Sequence, residues 1–514
     1  MLSAEEKEKM MIVRVDTPGL QYDINAIVKA FYPDREVRVL EPDSTVHDSS
    51  ILDLPVYMDI EVPSGKDGNG HSDDPSFGHI RVEGTDHGFG IDPEIGPKNS
   101  FKLALYDTMC KITGRTLPWG NLTGVRPTKI AMTRIRSGED DARILEFMRG
   151  YHRVSDEKSE LAVDIAHLEL ELLGKLDHRN GYSLYIGIPF CPTTCLYCSF
   201  TSSPIGAWKD RVDTYLEALY KEIDYVADAS GRGVFASHPD TIYIGGGTPT
   251  SLDEEHLEKL LSYLCEKTDT RSAHEFTCEA GRPDSITAGK LAVMKKYGVT
   301  RISINPQTMQ QKTLDIIGRR TTPDQVKEAF YMAREAGFDN INMDIILGLP
   351  GEGKDEVADT LEQISVMEPD SLTVHSLAIK RASALKQHLD EIGIEALKNT
   401  DETMALAALS ACNMGMKPYY LYRQKNMSGN FENTGYCVPG RECLYNILIM
   451  EEIQAIVALG AGSISKRVDY PDDADSDIPV NISRAENLKD IESYISRIDE
   501  MIERKKDLFE QQNI

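Results

Sequence analysis

The 514-residue sequence has no uninterrupted apolar run long enough to cross a bilayer. The best candidate, YNILIMEEIQAIVALG, is cut by Glu451 and Glu452. The first residues, MLSAEEKEKMMIVRV, place acidic side chains where a secretory signal peptide needs a basic region followed by an apolar one. We therefore expect a soluble, cytoplasmic protein without a membrane span.

Basic residues are also scarce. The sequence has 56 Lys and Arg against 83 Asp and Glu, a formal net charge of -27. Such a charge repels phosphate-rich partners, which argues against general binding to nucleic acid or to a membrane surface. An acidic small molecule is not excluded, because salt screens charges over about 8 Å and a local basic pocket can still bind it.

Cysteine is too sparse for a disulfide scaffold, with nine residues in the whole chain. In a reducing compartment these cysteines are expected to stay as thiols or to bind metal. Hydrophobic residues make up 41% of the sequence, which is enough for packed cores, and the length predicts two or three domains.

The pattern along the chain divides it into three segments. Residues 1–180 alternate short strands (11–15 and 37–40) with helical stretches (25–31, 101–113 and 161–173), which indicates a small N-terminal α/β domain and a helical connector. Residues 381–514 predict a mainly helical C-terminal region that covers the substrate, with helices near 401–415, 441–457 and 488–508. The role of the N-terminal domain is left open.

Residues 181–380 carry the most regular pattern. Strand-length apolar runs at 183–190, 241–248, 275–281, 300–307, 340–350 and 371–379 alternate with helical segments near 210–228, 253–267, 285–297, 323–337 and 354–367. Six successive β-α units predict a parallel sheet with helices outside, either open or curled into a partial barrel. The active site is then expected at the carboxyl ends of the strands.

Three cysteines follow the first of these strands in the segment FCPTTCLYC. Cys191, Cys195 and Cys198 have the spacing C-x3-C-x2-C, and thiolates on one short loop suit zinc or an iron–sulfur cluster. Structural zinc needs a fourth ligand, and no Cys or His lies nearby at a compatible spacing. A [4Fe–4S] cluster held by three cysteines keeps one iron open to a small ligand. Structural zinc and unligated thiols are the alternatives.

The cysteine motif, together with GGGTPT at 245–250 after the second strand, resembles the radical S-adenosylmethionine (SAM) superfamily. The resemblance implies a partial (β/α)6 TIM-like barrel, a [4Fe–4S] cluster and SAM bound at the open iron. It also implies that reduction of this centre yields a 5′-deoxyadenosyl radical that abstracts hydrogen from substrate. The glycines suit this chemistry, because they let a ligand approach the backbone closely.

Residues 183–466 resemble, more narrowly, the oxygen-independent coproporphyrinogen III oxidase-like family. The segments WGNLTGVRPTK and YRQKNMSGNFENTGY are most similar to its HemZ branch. The resemblance implies that Cys191, Cys195 and Cys198 form the metal and catalytic centre, that Tyr185, Tyr197, Gly246, Gly247, Thr248, Glu279 and Ile464 bind SAM, and that Gln307, Arg319, Asp344 and Ala378 line a second SAM.

Each of these residues also has a structural interpretation. Asp344 and Glu279 lie in apolar strands, where an unpaired carboxylate is costly, so a site role is favoured. Arg319 has the alternative of a solvated arginine at a helix end. Gln307 and Tyr185 have structural alternatives, and Ala378 and Ile464 have the alternative of core residues.

The leading hypothesis is an oxidoreductase of heme biosynthesis that converts propionates of coproporphyrinogen III to vinyl groups, giving protoporphyrinogen IX. Phe200 stands where enzymes of the family carry a further cysteine, and the segment from Cys443 lacks the heme-carrier motif, although Cys443 itself is a candidate axial ligand. A heme-trafficking protein and a radical enzyme that methylates or opens heme therefore remain alternatives.

The expected partners are a porphyrinogen or heme and an electron donor such as flavodoxin or ferredoxin. Because the substrate carries several carboxylates, basic residues must be concentrated locally. The candidates are Arg319, Arg320, Lys380, Arg381, Arg423 and Lys425.

Overall fold

A computed structural model describes residues 10–42, 54–62, 77–199, 202–378, 385, 397, 399–424, 427, 430–471 and 479–510. The chain forms two compact units. The smaller comprises Met1–Ala166 and Arg423–Phe431, and the larger comprises His167–Tyr422 and Glu432–Ile514. The domain boundaries at residues 180 and 380 remain a prediction. No helix in the described part of the chain is both long and apolar enough to cross a membrane.

The smaller unit is an α/β fold. Its elements in chain order are β1 (Met10–Val15), α1 (Gln21–Phe31), β2 (Glu36–Leu40), β3 (Val56–Glu61), β4 (Phe77–Val82), β5 (Thr85–Gly90), α2 (Gly96–Thr113), α3 (Thr128–Arg136), α4 (Asp141–His152) and the start of α5 (Asp156–Leu173). The sheet order is β2-β1-β3-β4-β5, with β1 parallel to both neighbours. Ile24, Ile27, Val28 and Phe31 form one buried stripe of α1, which packs into the core beside the sheet.

The larger unit contains an eleven-stranded sheet. Its elements are β6 (Tyr182–Ile188), β7 (Phe190–Cys191), β8 (Ser203–Pro204), α6 (Val212–Gly231), β9 (Thr241–Gly246), α7 (Glu254–Lys267), β10 (Glu275–Glu279), α8 (Ala288–Lys296), β11 (Arg301–Ser303), α9 (Gln311–Ile316), α10 (Pro323–Glu335), β12 (Ile341–Leu347), α11 (Lys354–Met367), β13 (Ser371–Ser376), α12 (Asp401–Asn413), β14 (Lys417–Tyr422), β15 (Asn433–Cys437), α13 (Leu444–Glu451), β16 (Ala455–Leu459), β17 (Ile464–Asp469), β18 (Asn481–Glu486), α14 (Ile491–Ser496) and α15 (Ile498–Glu510).

The six predicted parallel strands are confirmed. Strands β6, β9, β10, β11, β12 and β13 lie side by side in that order, each parallel to the next. Helices follow them as predicted, and several begin with a side-chain N-cap. Asp253 accepts from the main-chain N–H of His256 at 2.9 Å at the start of α7, and Thr322 forms a capping box with Gln325 at the start of α10. The unit is a partial (β/α)6 barrel.

The C-terminal region contributes five strands that the sequence analysis did not place. The helix expected over 441–457 ends at Glu451, where Glu452 adopts a left-handed conformation with φ 51°, and AIVAL at 455–459 forms β16. Strand β16 pairs parallel with β6, so a seventh parallel strand extends the barrel. The helix expected over 488–508 is divided into α14 and α15.

A buried carboxylate joins the last helix to the barrel. Glu222 of α6 is fully buried and accepts from Lys505 Nζ of α15 at 2.6 Å and from Tyr494 OH of α14 at 2.5 Å. It also accepts from Asn487 Nδ2 at 2.9 Å and from the main-chain N–H of Gly460 at 2.7 Å, in the turn after β16. Four donors therefore compensate this charge, and we call these residues the Glu222 network.

Candidate functional site

The cysteine loop lies at the carboxyl end of β6. Cys191 ends the short strand β7, which pairs with β8, while Cys195 is buried and Cys198 is half-buried. The main-chain N–H of Leu196 donates to Ile317 O at 3.0 Å, and that of Cys198 donates to Cys195 O at 3.1 Å. Main-chain hydrogen bonds therefore fix the part of the loop that carries the last two cysteines.

The glycine run after β9 packs directly against this loop. The main-chain N–H of Gly247 donates to Ile188 O at 2.8 Å, and that of Thr248 donates to Phe190 O at 2.6 Å. A Cβ on Gly247 would lie 2.5 Å from Phe190 O, and Gly246 has a φ of 105°, so both positions require glycine. Thr248 Oγ1 lies 3.5 Å from Cys191 Sγ. The two predicted motifs therefore meet.

Three tyrosine rings stack inside the barrel beside the glycine run. The centroids of Tyr243 and Tyr445 are 4.5 Å apart, and that of Tyr185 lies 6.2 and 6.1 Å from them. Burial raises the pKa of all three phenols, so they stay neutral. Tyr185 was a predicted site residue. Tyr243 and Tyr445 were missed, because nothing in the sequence shows that two positions 445 minus 243, or 202, residues apart share a stack.

Glu279 ends β10 beneath the glycines. Its Oε1 accepts from Tyr243 OH at 2.6 Å, and its carboxyl group lies 3.2 Å from where a Cβ on Gly245 would stand. Burial raises the pKa of Glu279 to about 7, and the negative charge of Asp344 adds to this rise. This carboxyl group therefore titrates close to neutral pH.

Asp344 lies on β12, which β11 separates from β10, and it stays ionised. Burial opposes its charge most strongly, but His375, together with the polar side chains of Asn342 and Thr373, outweighs burial and lowers its pKa. His375 Nε2 lies 3.6 Å from Asp344 Oδ2, and Asn342 Nδ2 donates to Oδ1 at 2.6 Å. Two carboxylates with opposite pKa shifts thus face the same end of the barrel.

Gln307 follows β11 and pairs with Ile345 of β12 in a strained conformation. Its φ is 67°, its main-chain N–H donates to Asp344 O at 2.9 Å, and its main-chain O accepts from Ile346 at 2.9 Å. Its buried side-chain Oε1 has no hydrogen-bond partner within the described residues. An unpaired buried acceptor at a strained strand end indicates a place where a ligand completes the hydrogen bonding.

Arg319 is buried, with 5% of its surface exposed, so the alternative of a solvated helix-end arginine is wrong. Its Nη1 donates to Asn305 O. Burial opposes its charge, but the neighbouring Tyr197 and Cys195 outweigh burial and raise its pKa. Arg319 therefore brings a positive charge to the cysteine loop.

The last predicted site residues lie around this edge. Tyr197 packs against an apolar cluster that includes Ile346 and Leu377. Ala378 is half-buried just after β13. Ile464 begins β17 opposite Glu486 and is 39% exposed, so its alternative as a core residue is wrong.

The structure describes three of the six residues that were expected to bind the substrate carboxylates, namely Arg319, Arg320 and Arg423. Arg320 is exposed, whereas Lys380, Arg381 and Lys425 lie outside the described residues. Arg423 belongs to the smaller unit, where its main-chain N–H donates to Val125 O at 2.7 Å and its Nη1 donates to Leu122 O at 2.5 Å. The two segments with the HemZ-like sequences therefore contact each other in that unit.

The residues at this edge fit an iron–sulfur cluster with a ligand beside it. Three soft thiol donors share one loop, and the adjacent glycines have no side chains that would block a ligand. The buried Oε1 of Gln307 has no hydrogen-bond partner among the described residues. Among the described residues no three Cys, His, Asp or Glu side chains converge at metal-binding distances. Cys191 instead contacts Thr248, and Cys195 contacts Arg282 Nη1 at 3.7 Å.

Arg282 was not predicted from the sequence. It lies three residues after Glu279 in EAGRPD. Its importance comes from its contact with Cys195, and no pattern in a single sequence reveals such a contact. His375 was missed as a neighbour of Asp344 for the same reason.

Comparison with known proteins places this geometry in a family. Residues 185–364 match the model described as the Radical SAM superfamily, which implies a [4Fe–4S] cluster and SAM. The chain is 37% identical over 454 residues to the oxygen-independent coproporphyrinogen-III oxidase-like protein HemZ of Bacillus subtilis (strain 168), covering 84% of this chain and 88% of that protein.

Two further proteins are similar over shorter regions. The heme chaperone HemW of Bacillus subtilis (strain 168) is 38% identical over 201 residues, which cover 38% of this chain and 51% of that protein. Coproporphyrinogen III oxidase (HemN) from Escherichia coli, a radical SAM enzyme, matches in structure with a TM-score of 0.49 and 22% identity, over 66% of this chain and 73% of that one. The predicted resemblance is confirmed, and the chain belongs to the oxygen-independent coproporphyrinogen-III oxidase-like family of the radical SAM superfamily.

Proposed function

We propose that this chain is an oxygen-independent coproporphyrinogen III oxidase. Each reacting propionate gives one hydrogen atom from its β-carbon to the SAM-derived radical and one electron to a one-electron acceptor, releases carbon dioxide, and becomes a vinyl group. Two such events give protoporphyrinogen IX. The observation that carries the proposal is the alignment with 88% of the HemZ protein, together with the contact of the cysteine loop and the glycine run at the carboxyl end of the barrel.

The proposed roles follow the resemblance. A [4Fe–4S] cluster and SAM, when bound, supply the radical that removes the hydrogen atom. Cys191, Cys195 and Cys198 hold the cluster, Tyr185, Tyr197, Gly246, Gly247, Thr248, Glu279 and Ile464 bind SAM, and Gln307, Arg319, Asp344 and Ala378 hold a second SAM. A flavodoxin or ferredoxin serves as the electron donor.

The electrostatics of the edge support a cationic ligand. SAM carries a sulfonium and an ammonium group, and Glu279 and Asp344 present carboxyl groups to the same end of the barrel. A cation placed beside them favours the ionised form of Glu279, which Asp344 otherwise disfavours. The stacked Tyr185, Tyr243 and Tyr445 rings lie beside these carboxyl groups and present an apolar surface to the ligand.

The alternative of a heme carrier rests on the similarity to HemW. Cys443, its candidate axial ligand, is fully buried and donates to Glu275 Oε1 at 3.2 Å. The main-chain N–H of Leu444 donates to Oε2 of the same carboxylate at 2.7 Å. Because Glu275 begins β10, this sulfur lies at the opposite end of the strand from Glu279, which favours the oxidase over a carrier that uses Cys443.

Anaerobic turnover tests the proposal. The protein is reconstituted with iron and sulfide and incubated with coproporphyrinogen III, SAM and dithionite, and products are identified by mass spectrometry. We expect one-vinyl and two-vinyl products that are absent from a Cys195→Ser control. Stoichiometric heme binding without turnover would support the carrier, and SAM cleavage with altered heme would support a heme-modifying enzyme. Either result would contradict the proposal.

A further inference from the structure

A buried arginine lies against the cysteine loop. Arg282 follows β10 and is 2% exposed. Its Nη1 lies 3.7 Å from Cys195 Sγ, and Cys195 is itself buried. A buried guanidinium is costly unless its donors are paired, so the direction of each N–H group is informative.

All five N–H groups of this guanidinium have partners. Nε and Nη2 donate to the two oxygens of Asp284 at 3.0 and 2.9 Å. The second N–H of Nη2 donates to Thr193 Oγ1, and one N–H of Nη1 donates to Thr193 O, both at 3.1 Å. The remaining N–H of Nη1 is the one that reaches Cys195 Sγ. The planar fork therefore holds one donor on this sulfur in a fixed direction.

Two positive charges lie near Cys195, those of Arg319 and Arg282, and the charge of Arg282 has an anion behind it. Cys195 contacts the positive Arg282, and Arg282 is paired on its other side with Asp284, whose side chain is 20% exposed. The cation is therefore close to the sulfur and the compensating anion is one step further away. Cys191 differs, because its sulfur contacts the neutral hydroxyl of Thr248.

We propose that Arg282 raises the reduction potential of the cluster held by Cys191, Cys195 and Cys198, and that Asp284 limits this rise. Reduction adds one negative charge to a cluster, and an N–H donor or a positive charge at a ligand sulfur stabilises the reduced form. Arg282 is a positioning residue, since it acts through Cys195. The inference rests on the cluster that the proposed function assigns to these cysteines.

A purely structural role makes a different prediction. Arg282 also anchors the main chain of Thr193, so its loss could simply loosen the loop and reduce cluster occupancy. That role predicts less iron in variants of either residue. An electrostatic role predicts midpoint potentials that move in opposite directions in variants of Arg282 and Asp284.

The experiment measures the potential without substrate. Wild type, Arg282→Gln and Asp284→Asn are reconstituted anaerobically, iron and sulfide are counted, and the midpoint is determined by reductive titration with electron paramagnetic resonance. We expect a more negative midpoint for R282Q, which loses the charge, and a more positive midpoint for D284N, which leaves the charge uncompensated. Lys296→Gln, which removes an exposed charge paired with Glu258, is expected to leave the midpoint unchanged.

An unchanged midpoint in R282Q at full iron content, or shifts of the same sign in R282Q and D284N, would overturn the inference. If R282Q does not hold a full cluster, D284N decides alone: a positive shift supports the inference and no shift overturns it. The readout needs no coproporphyrinogen, so opposite shifts without vinyl products would leave this inference standing while the proposed function fails.

Discussion

Glu222, on α6 and facing α15, and Glu279, at the end of β10, are carboxylates of one unit with different surroundings. Glu222 accepts from four donors, including the ammonium group of Lys505. Glu279 accepts from Tyr243 and has a raised pKa near 7. The four donors of the Glu222 network all come from the protein, whereas at the carboxyl end of the barrel the buried acceptors Gln307 Oε1 and Asn305 Oδ1 have no partner among the described residues. Unsatisfied polarity therefore distinguishes the candidate site from the fully buried Glu222 network.

The largest effect is expected from removing a cluster ligand at the carboxyl end of the barrel, and this effect is a loss of activity. Cys195→Ser removes one of three cluster ligands, so we expect cluster iron to fall sharply and SAM cleavage to become undetectable. Iron analysis and detection of 5′-deoxyadenosine measure this. Cys412→Ser, at an exposed position on α12, should keep both. Full iron content in C195S would refute the role of the triad.

The next effect is on the Glu222 network and on stability. Glu222→Gln removes the partner of the buried Lys505, and an uncompensated buried charge costs about 3–5 kcal/mol in free energy of unfolding. Urea unfolding followed by circular dichroism measures the loss. The double variant E222Q/K505M, which removes both charges, should recover much of it. A loss of under about 1 kcal/mol in E222Q would show that the network is not a stabilising element.

The same substitution at Glu279 should act in the opposite direction. The folded protein keeps the Glu279 proton up to pH 7, whereas the unfolded chain releases it near 4.5, so the free energy of unfolding falls as pH rises between these values. Glu279→Gln removes this fall. We expect E279Q to exceed wild type by about 1–3 kcal/mol at pH 8 and to equal it at pH 4.5.

Urea unfolding at the two pH values measures the effect, and E222Q is the matched control. The stabilised E279Q protein should bind SAM more weakly, which equilibrium dialysis detects. If E279Q were less stable than wild type at pH 8, the prediction that the two carboxylates affect stability in opposite directions would be wrong.

The smallest effect concerns the hydrogen bond from Tyr243. Tyr243→Phe removes the donor that lowers the Glu279 pKa, so ionised Glu279 loses about 1 kcal/mol of stabilisation. We expect this loss in free energy of unfolding at pH 8 and little change at pH 4.5. Tyr445→Phe removes a hydroxyl from the same ring stack and should lack this pH dependence. Equal losses at both pH values would contradict the interpretation.

The sequence predicted the barrel because its strands and helices differ in length and period. Six apolar runs separated by amphipathic helices leave few arrangements. Strand β16 was missed because its five apolar residues follow a helix closely, and periodicity does not separate a short buried strand from the end of a helix. Strands β14, β17 and β18 pair with strands close to them in sequence, whereas β15 joins the barrel through β13, a contact distant in sequence.

The site was predictable where spacing or a resemblance marks residues. The cysteine triad and the glycine run follow from spacing, and the meeting of the two motifs confirms that they share one edge. Arg282 and Tyr445 were not predictable, since their importance lies in the side chains they contact. The hydrogen bonds from Arg282 to Thr193 and Cys195 form only when folding brings the end of β10 against the cysteine loop.

The pairing of β16 with β6 has a consequence for biosynthesis. Tyr185 lies opposite Ala458, so 458 minus 185, or 273 residues, separate two neighbours in one sheet. At a translation rate of about 5–20 residues per second, roughly 14 to 55 seconds pass between the synthesis of β6 and the synthesis of β16. During that interval the outer edge of β6 has no partner strand, and such an edge invites aggregation. We expect the nascent chain to depend on chaperones until its last quarter has emerged.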